Sequence, residues 1–334
     1  MSNKYLGCLL GAAIGDAMGA ATEMRTRKQI EAKFGYVRDF LTPPEDTFAR
    51  GCEAGSVTDD FSLAFTTIET ILSESVINLD TAKKALIHWG DPSNFYSRFA
   101  GPTTQIAIRK LKGEIIPDMH GFKLCNDNSK ASNGAAMKMS PIALFSHGDV
   151  DKAIRIAYTV STVSHHNNIS ISAACAIAAA TAKAMQADVT LSSIMDAGIY
   201  GAIEGERLGS ETGATLAGPS VKRRIEWAID LGKQAKPLIE IMDDISDLVG
   251  TGLAAAEAVP AVFGLIQASF DRPMEAIYAA VNIGNDTDTI ATMVGGILGA
   301  YYGSKAFSSE HLKLLNRVNN FDLDVIANKI EAFR

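Results

Sequence analysis

Two stretches of this chain set threonine and paired aspartate directly ahead of apolar residues at helical spacing. Residues 55–65 read GSVTDDFSLAF, and residues 284–300 read GNDTDTIATMVGGILGA. An Asp, Asn or Thr in such a place is commonly a helix N-cap, and first-turn acids also suit the helix dipole. One aspartate per helix is accounted for in that way. A second is harder to place, because a helix as apolar as IATMVGGILGA is headed for the interior, and a buried carboxylate needs a partner. If the two entrances converge, Asp59, Asp60, Asp286 and Asp288 form one pocket of four negative charges. Two divalent cations would neutralise all four, with Thr58 and Thr289 adding neutral oxygens. Oxygen ligation without Cys or His favours Mg²⁺ or Mn²⁺ over zinc. Paired ions about 3.5–4 Å apart orient substrate oxygens and activate water. On the residues alone, two ordinary capped helices remain the alternative.

Helices must position these groups. Apolar periodicity predicts helices over 4–20, 60–74, 80–89, 103–112, 150–163, 169–186, 190–206, 220–233, 272–282, 287–302 and 322–332. Hairpin dipeptides between alternating runs are missing, as is any series of β-branched segments. Glycines at 7, 11, 15 and 19 fall on one face of the first helix and suit close packing. Pro260 either kinks a helix or begins one at its first turn. The segments 36–57 and 113–131 read as long loops, the second holding Pro117, Gly121 and Cys125, and loops of that length are often functional. The expectation is an all-α fold, a single compact multi-helix domain spanning 1–334.

Composition narrows the class. The 334 residues are 47% hydrophobic and 21% charged, a globular balance with ample core, and the net charge of −7 argues against a nucleic-acid duplex or a basic membrane surface. The start, MSNKYLGCLLGAAIGDAMGAA, mimics a secretory signal, but Asp16 interrupts its apolar stretch. No stretch reaches roughly 18 uninterrupted apolar residues, so no membrane span is expected. Cys8, Cys52, Cys125 and Cys175 show no CxxC spacing, which fits a reducing compartment without structural zinc. A cytoplasmic protein is expected. A strand–GxGxxG–helix unit is lacking, so no redox cofactor is implied.

Five motifs then occur in order: LGCLLGAAIGDAMGAATE at 6–23, TDD at 58–60, SNGAAMKMSPIAL at 132–144, VSHHN at 163–167 and NIGNDTDTIATMVGGILGAYYG at 282–303. Together they span nearly the whole chain, and in them it resembles the ADP-ribosylglycohydrolase family, which includes the dinitrogenase reductase-activating glycohydrolases. The resemblance implies an all-α enzyme whose dinuclear Mg²⁺ or Mn²⁺ centre hydrolyses N- or O-glycosidic bonds to ADP-ribose. It places Thr58, Asp59, Asp60, Asp286, Asp288 and Thr289 as metal ligands. Glu23, or a carboxylate of the Asp59/Asp60 pair, would accept the proton of the attacking water. Glu23 could instead cap the helix starting near 26. Ser132, Asn133 and Gly134 match a turn that holds the ribose and phosphates, and His165 matches a histidine lining the substrate cleft. The substrate would be an ADP-ribosylated protein or a small ADP-ribosyl or ribosyl compound.

The chain also departs from the family. Phe61 follows Asp60 where TDDT is common, and the run 128–132 lacks the acidic residue that precedes the Asn-Gly turn in arginine-directed members, which leaves the leaving group open. The stretch EMRTRKQIEAKFGYVRDFL at 23–41 resembles a bacterial subgroup of unsettled substrate, a nucleoside-like one among the candidates. Lys222, Arg223 and Arg224 could meet a pyrophosphate, or simply form a solvated helix face. Three rival readings remain. One is an N-glycosidase of ribonucleosides or modified nucleosides with the same centre. Another is a non-catalytic ADP-ribose-binding or crystallin-like structural protein. A third, an all-α Mg²⁺ pyrophosphohydrolase, is disfavoured because no strong ExxE pair is present.

Overall fold

Small residues decide how this chain packs. The computed structural model describes residues 3–116 and 126–334; Pro117, Gly121 and Cys125 of the second expected loop lie outside them. The described residues form sixteen α-helices and no sheet. The first five are α1 (Lys4–Gly19), α2 (Arg27–Phe34), α3 (Asp59–Glu74), α4 (Leu79–Trp89) and α5 (Pro102–Leu111). There follow α6 (Met139–Ala143), α7 (Val150–Ser161), α8 (Asn168–Met185), α9 (Leu191–Thr212), α10 (Val221–Gly232) and α11 (Leu238–Asp244). The last are α12 (Ala255–Ser269), α13 (Pro273–Asn282), α14 (Thr287–Tyr302), α15 (Ser309–Asn319) and α16 (Leu323–Ala332).

All eleven expected helices are present, with α9 running on to Thr212. The helices without a clear sequence signal are short or polar. α2, RKQIEAKF, buries only Ile30, so it offers almost no apolar period to read. Pro260 lies well inside α12 rather than at its first turn. A proline there cannot bond the carbonyl four residues back. That carbonyl, Ala256 O, instead accepts Arg224 Nη1 at 2.9 Å, and Val249 O accepts the same nitrogen at 3.1 Å. Lys222 pairs with Glu226 at 2.6 Å. Arg224 is therefore engaged in helix packing, and Lys222 in an ion pair along its own helix.

The face of Gly7, Gly11, Gly15 and Gly19 lies against α14. A Cβ on Gly11 would stand 2.1 Å from Gly295 O, one on Gly15 2.1 Å from Ala291 O, and one on Gly19 2.3 Å from Asp288 Cα. Backbone therefore meets backbone along the seam, and the ends of α1 and α14 that carry Asp16 and Asp288 are fixed side by side. A second seam joins α8 and α9, where a Cβ on Gly201 would come within 2.3 Å of Cys175 O. α8 is long and apolar enough to cross a membrane by length and composition, but 89% of it is buried inside the fold. Cys8 and Cys175 are buried free thiols, as is Cys52.

Candidate metal and substrate site

The Gly-Asn pair ahead of Asp286 makes the turn that the site needs. Gly284 and Asn285 both have left-handed backbone, with φ of 97° and 66°, and a Cβ on Gly284 would meet Arg25 O at 2.9 Å. Around this turn, Asn285 N donates to Arg25 O at 2.7 Å and Met24 N to Asn285 O at 2.8 Å. Asp286 N donates to Thr251 O at 3.0 Å. The segment after α1, carrying Glu23, is thereby clamped to the entrance of α14. Thr22 Oγ1 and Thr287 Oγ1 bond each other at 2.9 Å and both reach Gly19 O, tightening the same joint.

Neither N-cap residue of the two acidic entrances uses its side chain as a cap. Thr58 and Asp286 occupy the N-cap positions of α3 and α14, and neither makes a side-chain cap bond. The donors at the start of α3 are taken by Asp16, from the interior of α1. Its Oδ1 accepts Thr58 N at 2.9 Å and Thr58 Oγ1 at 2.8 Å; its Oδ2 accepts Thr58 N at 3.0 Å and Phe61 N at 2.9 Å. The Thr26–Gln29 capping box likewise serves α2 without Glu23.

Two carboxylate triads result. Oxygens of Asp16, Asp60 and Asp288 lie within 4.8 Å of one another, as do oxygens of Glu23, Asp286 and Asp288. Asp288 belongs to both. Thr289, 4% exposed, lies beside Asp60 and Asp286 and lowers the pKa of each. Of the six expected ligands, Asp60, Asp286, Asp288, Thr58 and Thr289 are buried together, whereas Asp59 stands outside both triads. Asp59 still lies in the field of Asp16 and Asp286, and it also feels Lys138, a 3% exposed lysine at the start of α6.

Electrostatics follow from this crowding. Burial, then the neighbouring carboxylates, hold Glu23, Asp60 and Asp288 well above the usual carboxylate range. Asp59 is pushed up to about 8 by burial and by Asp16, and Asp286 is raised by burial. Burial raises Asp16 to about 6, against the pull of its three donors. Burial lowers Lys138 to about 8 although Asp59 favours its charge. Asp60 Oδ1 is buried with no hydrogen-bond partner. An all-oxygen donor set, like charges in contact and an orphaned carboxylate oxygen fit hard divalent cations such as Mg²⁺ or Mn²⁺.

The Asn-Gly turn lies against this cluster. Asn133 Nδ2 donates to Asp286 Oδ2 at 2.5 Å, and Asn133 N donates to Leu253 O at 2.9 Å. Ser132 Oγ bonds His165 Nε2 at 2.9 Å, and Ser164 Oγ bonds His165 Nδ1 at 2.8 Å. His165 is 1% exposed, and burial pushes its pKa down to about 3, so it is neutral. It supports the turn from beneath, with both ring nitrogens engaged within the chain rather than facing an open cleft. A Cβ on Gly134 would come 3.1 Å from its ring, a tight contact. Surface cavities of about 450 and 600 Å³ flank the segment after Glu23 and share Met24 and Arg25. Arg25 and Lys33 both hold Asp46 at the first of them.

Asp16 and Lys138 are the site residues that sequence reasoning missed. The signal for Asp16 was a carboxylate amid GAAIG and AMGAA, on a helix too closely packed to expose it. For Lys138 it was a lone cation in AAMKMSPIAL.

The sequence model of one family, described as ADP-ribosylglycohydrolase, matches residues 1–333. An uncharacterized Escherichia coli K12 protein, YegU, is 28% identical over all of this chain and 98% of its own length. ADP-ribosylhydrolase ARH3 of Bos taurus is 26% identical over 90% of this chain and 85% of its own. ADP-ribosylarginine hydrolase Tri1 of Pseudomonas putida is 26% identical over 92% and 73%. A solved structure titled ADP-ribosylglycohydrolase-related protein complex superposes with a TM-score of 0.69 at 20% identity, covering 99% of this chain and 98% of that one, and so shares the fold.

Proposed function

Because the chain belongs to the ADP-ribosylglycohydrolase family, a family of hydrolases acting on glycosidic bonds, we propose that it releases ADP-ribose from an ADP-ribosyl substrate, using two Mg²⁺ or Mn²⁺ ions in the carboxylate cluster. The observation that carries this reading is the pair of buried triads sharing Asp288, with Asp60 Oδ1 left unpartnered. The ARH3 and Tri1 relatives are hydrolases of ADP-ribosyl compounds by name, which supports the same substrate class.

Asp60, Asp286, Asp288, Thr289 and Glu23 would hold the ions. Bound there, the ions would grip the two ribose hydroxyls and acidify a water. Glu23, at the rim of the cluster and 9% exposed, would take the proton of the attacking water. As the water oxygen bonds to the anomeric carbon, the carbon–leaving-group bond breaks, and Glu23 returns its proton to the leaving group, which departs toward the cavities beside Met24 and Arg25. Asn133 and the backbone of Ser132 and Gly134 orient the sugar and phosphates, with His165 fixing Ser132. Lys138, buried near Asp59, favours its charged form against the pull of burial and Asp16. Burial keeps bulk water away, so positioning and fixed charge supply most of the rate gain.

The test is release of ADP-ribose from ADP-ribosylated peptides carrying serine or arginine linkages, run beside a ribonucleoside panel, with and without chelator. Chelator-sensitive release from a peptide supports the reading. Release of free base from nucleosides, with ADP-ribosyl peptides untouched, would replace it with a nucleoside N-glycosidase. Failure to turn over either, with ADP-ribose still bound, would leave a binding protein.

A further inference from the structure

Within the triad of Asp16, Asp60 and Asp288, hydrogen bonding separates one carboxylate from the other two. Both Asp16 oxygens already accept two bonds each, from Thr58 N, Thr58 Oγ1 and Phe61 N, at 2.8–3.0 Å. A carboxylate so saturated has little lone-pair density left for an ion. Asp60 Oδ1, by contrast, has no partner. Asp16 also supplies the α3 N-terminus with the acceptors that Thr58 does not. Thr58 N, at the N-cap, and Phe61 N, at the third position of the helix, are the groups a local capping side chain and its box would engage.

We propose that Asp16 is a positioning residue: a capping carboxylate donated by α1 to α3, which frees Thr58, Asp59 and Asp60 from capping and presets their direction before any ion arrives. The inference rests on the cation-dependent reading above and extends it to a residue outside the ligand set. The glycine seam explains why the cap can come from a different helix. α1 is locked against α14, so Asp16 and Asp288 are held in one frame, and α3 is then hung on that frame through three donors. The ligands from α3 and α14 are thereby brought to a common register by a residue 42 positions away from Thr58.

Asp16→Asn tests this, because an amide offers one acceptor and turns two N–H donors toward a region already filled with donors. Mn²⁺ binding to the metal-free protein is measured by calorimetry, with Leu10→Ala as a variant that perturbs α1 away from the site. Loss of an outer-shell partner typically costs 10–100-fold in metal affinity. The expected result is a loss of that size for Asp16→Asn at unchanged stoichiometry, with Leu10→Ala keeping wild-type affinity below its melting temperature. Unchanged affinity in a folded Asp16→Asn protein would overturn the proposal. So would the loss of one bound ion with the other intact, since that makes Asp16 a ligand. Hydrogen exchange in the wild-type chain provides an arm that does not depend on the variant folding. The Thr58 and Phe61 amides are expected to stay protected after the metal is stripped, and their exposure on chelation would overturn the preset cap. A wild-type chain that binds no Mn²⁺ would sink the functional reading, while the exchange measurement would still decide the cap.

Discussion

Asp288→Asn separates a ligand from a helix cap more sharply than any other single change. Asp288 is 3% exposed, belongs to both triads, and its Oδ1 accepts Thr289 N at 3.0 Å. An asparagine keeps that acceptor, and Asn serves as well as Asp at a helix start, so capping predicts a stability change near zero. The cluster predicts something different. Without metal, the substitution removes a carboxyl whose burial among other carboxylates raises its pKa, a cost the amide does not carry, so the variant should be at least as stable as the wild type. With metal, the variant should lose what the ions contribute. An ion at 100 times its dissociation constant adds about 2.7 kcal/mol. At about 2.1 cal/mol/K of unfolding entropy per residue, that is a shift of roughly 4 °C for a chain of this length. Thermal melts with and without 5–10 mM-scale Mg²⁺, or about 1 mM Mn²⁺, should therefore show the wild type responding and the variant not. Turnover should fall about a thousandfold if roughly 4 kcal/mol of transition-state stabilisation is lost. A variant with the wild-type metal shift and near-normal turnover would refute the two-triad reasoning and return Asp288 to an ordinary first-turn acid.

Asn133→Ala removes the donor on Asp286 and should destabilise the metal-free protein by about 1–3 kcal/mol, as for a buried partner left unpaired; the deficit in urea melts should shrink when Mn²⁺ is added, because the ion then satisfies the carboxylate. Gly15→Ala places a Cβ 2.1 Å from Ala291 O and forces α1 from α14, so it should cost at least about 1–3 kcal/mol and weaken Mn²⁺ binding as well, measured by melting and calorimetry. The pH dependence has a definite sign. Asp59 is raised to about 8 in the folded metal-free protein from an unfolded value near 3.8, so the native state holds more protons and its stability falls as pH rises toward and through 8. Buried His165, lowered to about 3, works in the opposite direction, but only below about 6.5. Metal-free melts should therefore drop between about pH 6.5 and 8, and saturating Mg²⁺ should flatten the slope; an upward or flat metal-free profile would count against the buried charge cluster.

The sequence by itself determined the helical architecture and most of the chemistry's inventory. Helical period marked α1, α3, α8 and α14 because each buries a long apolar face, whereas α2 buries only Ile30 and left no readable stripe. Glycines at every fourth position announced a close seam, and paired aspartates at two helix entrances announced a cluster, because period and residue type are local properties. Tertiary structure decided which carboxylates meet. Asp16 and Glu23 complete the triads and Asp59 does not, and nothing in TDD or NDTDT distinguishes these outcomes. Asp16 reads as an interruption of an apolar stretch until α3 is seen to hang its N-terminus on it. Lys138 reads as a stray cation until the fold buries it opposite Asp59. His165, matched by motif to a cleft wall, lies beneath the Asn-Gly turn because Ser132 and Ser164 take both its nitrogens. A carboxylate's role depends on which donors and charges lie within a few ångströms, and the folded chain sets those distances between residues far apart in sequence.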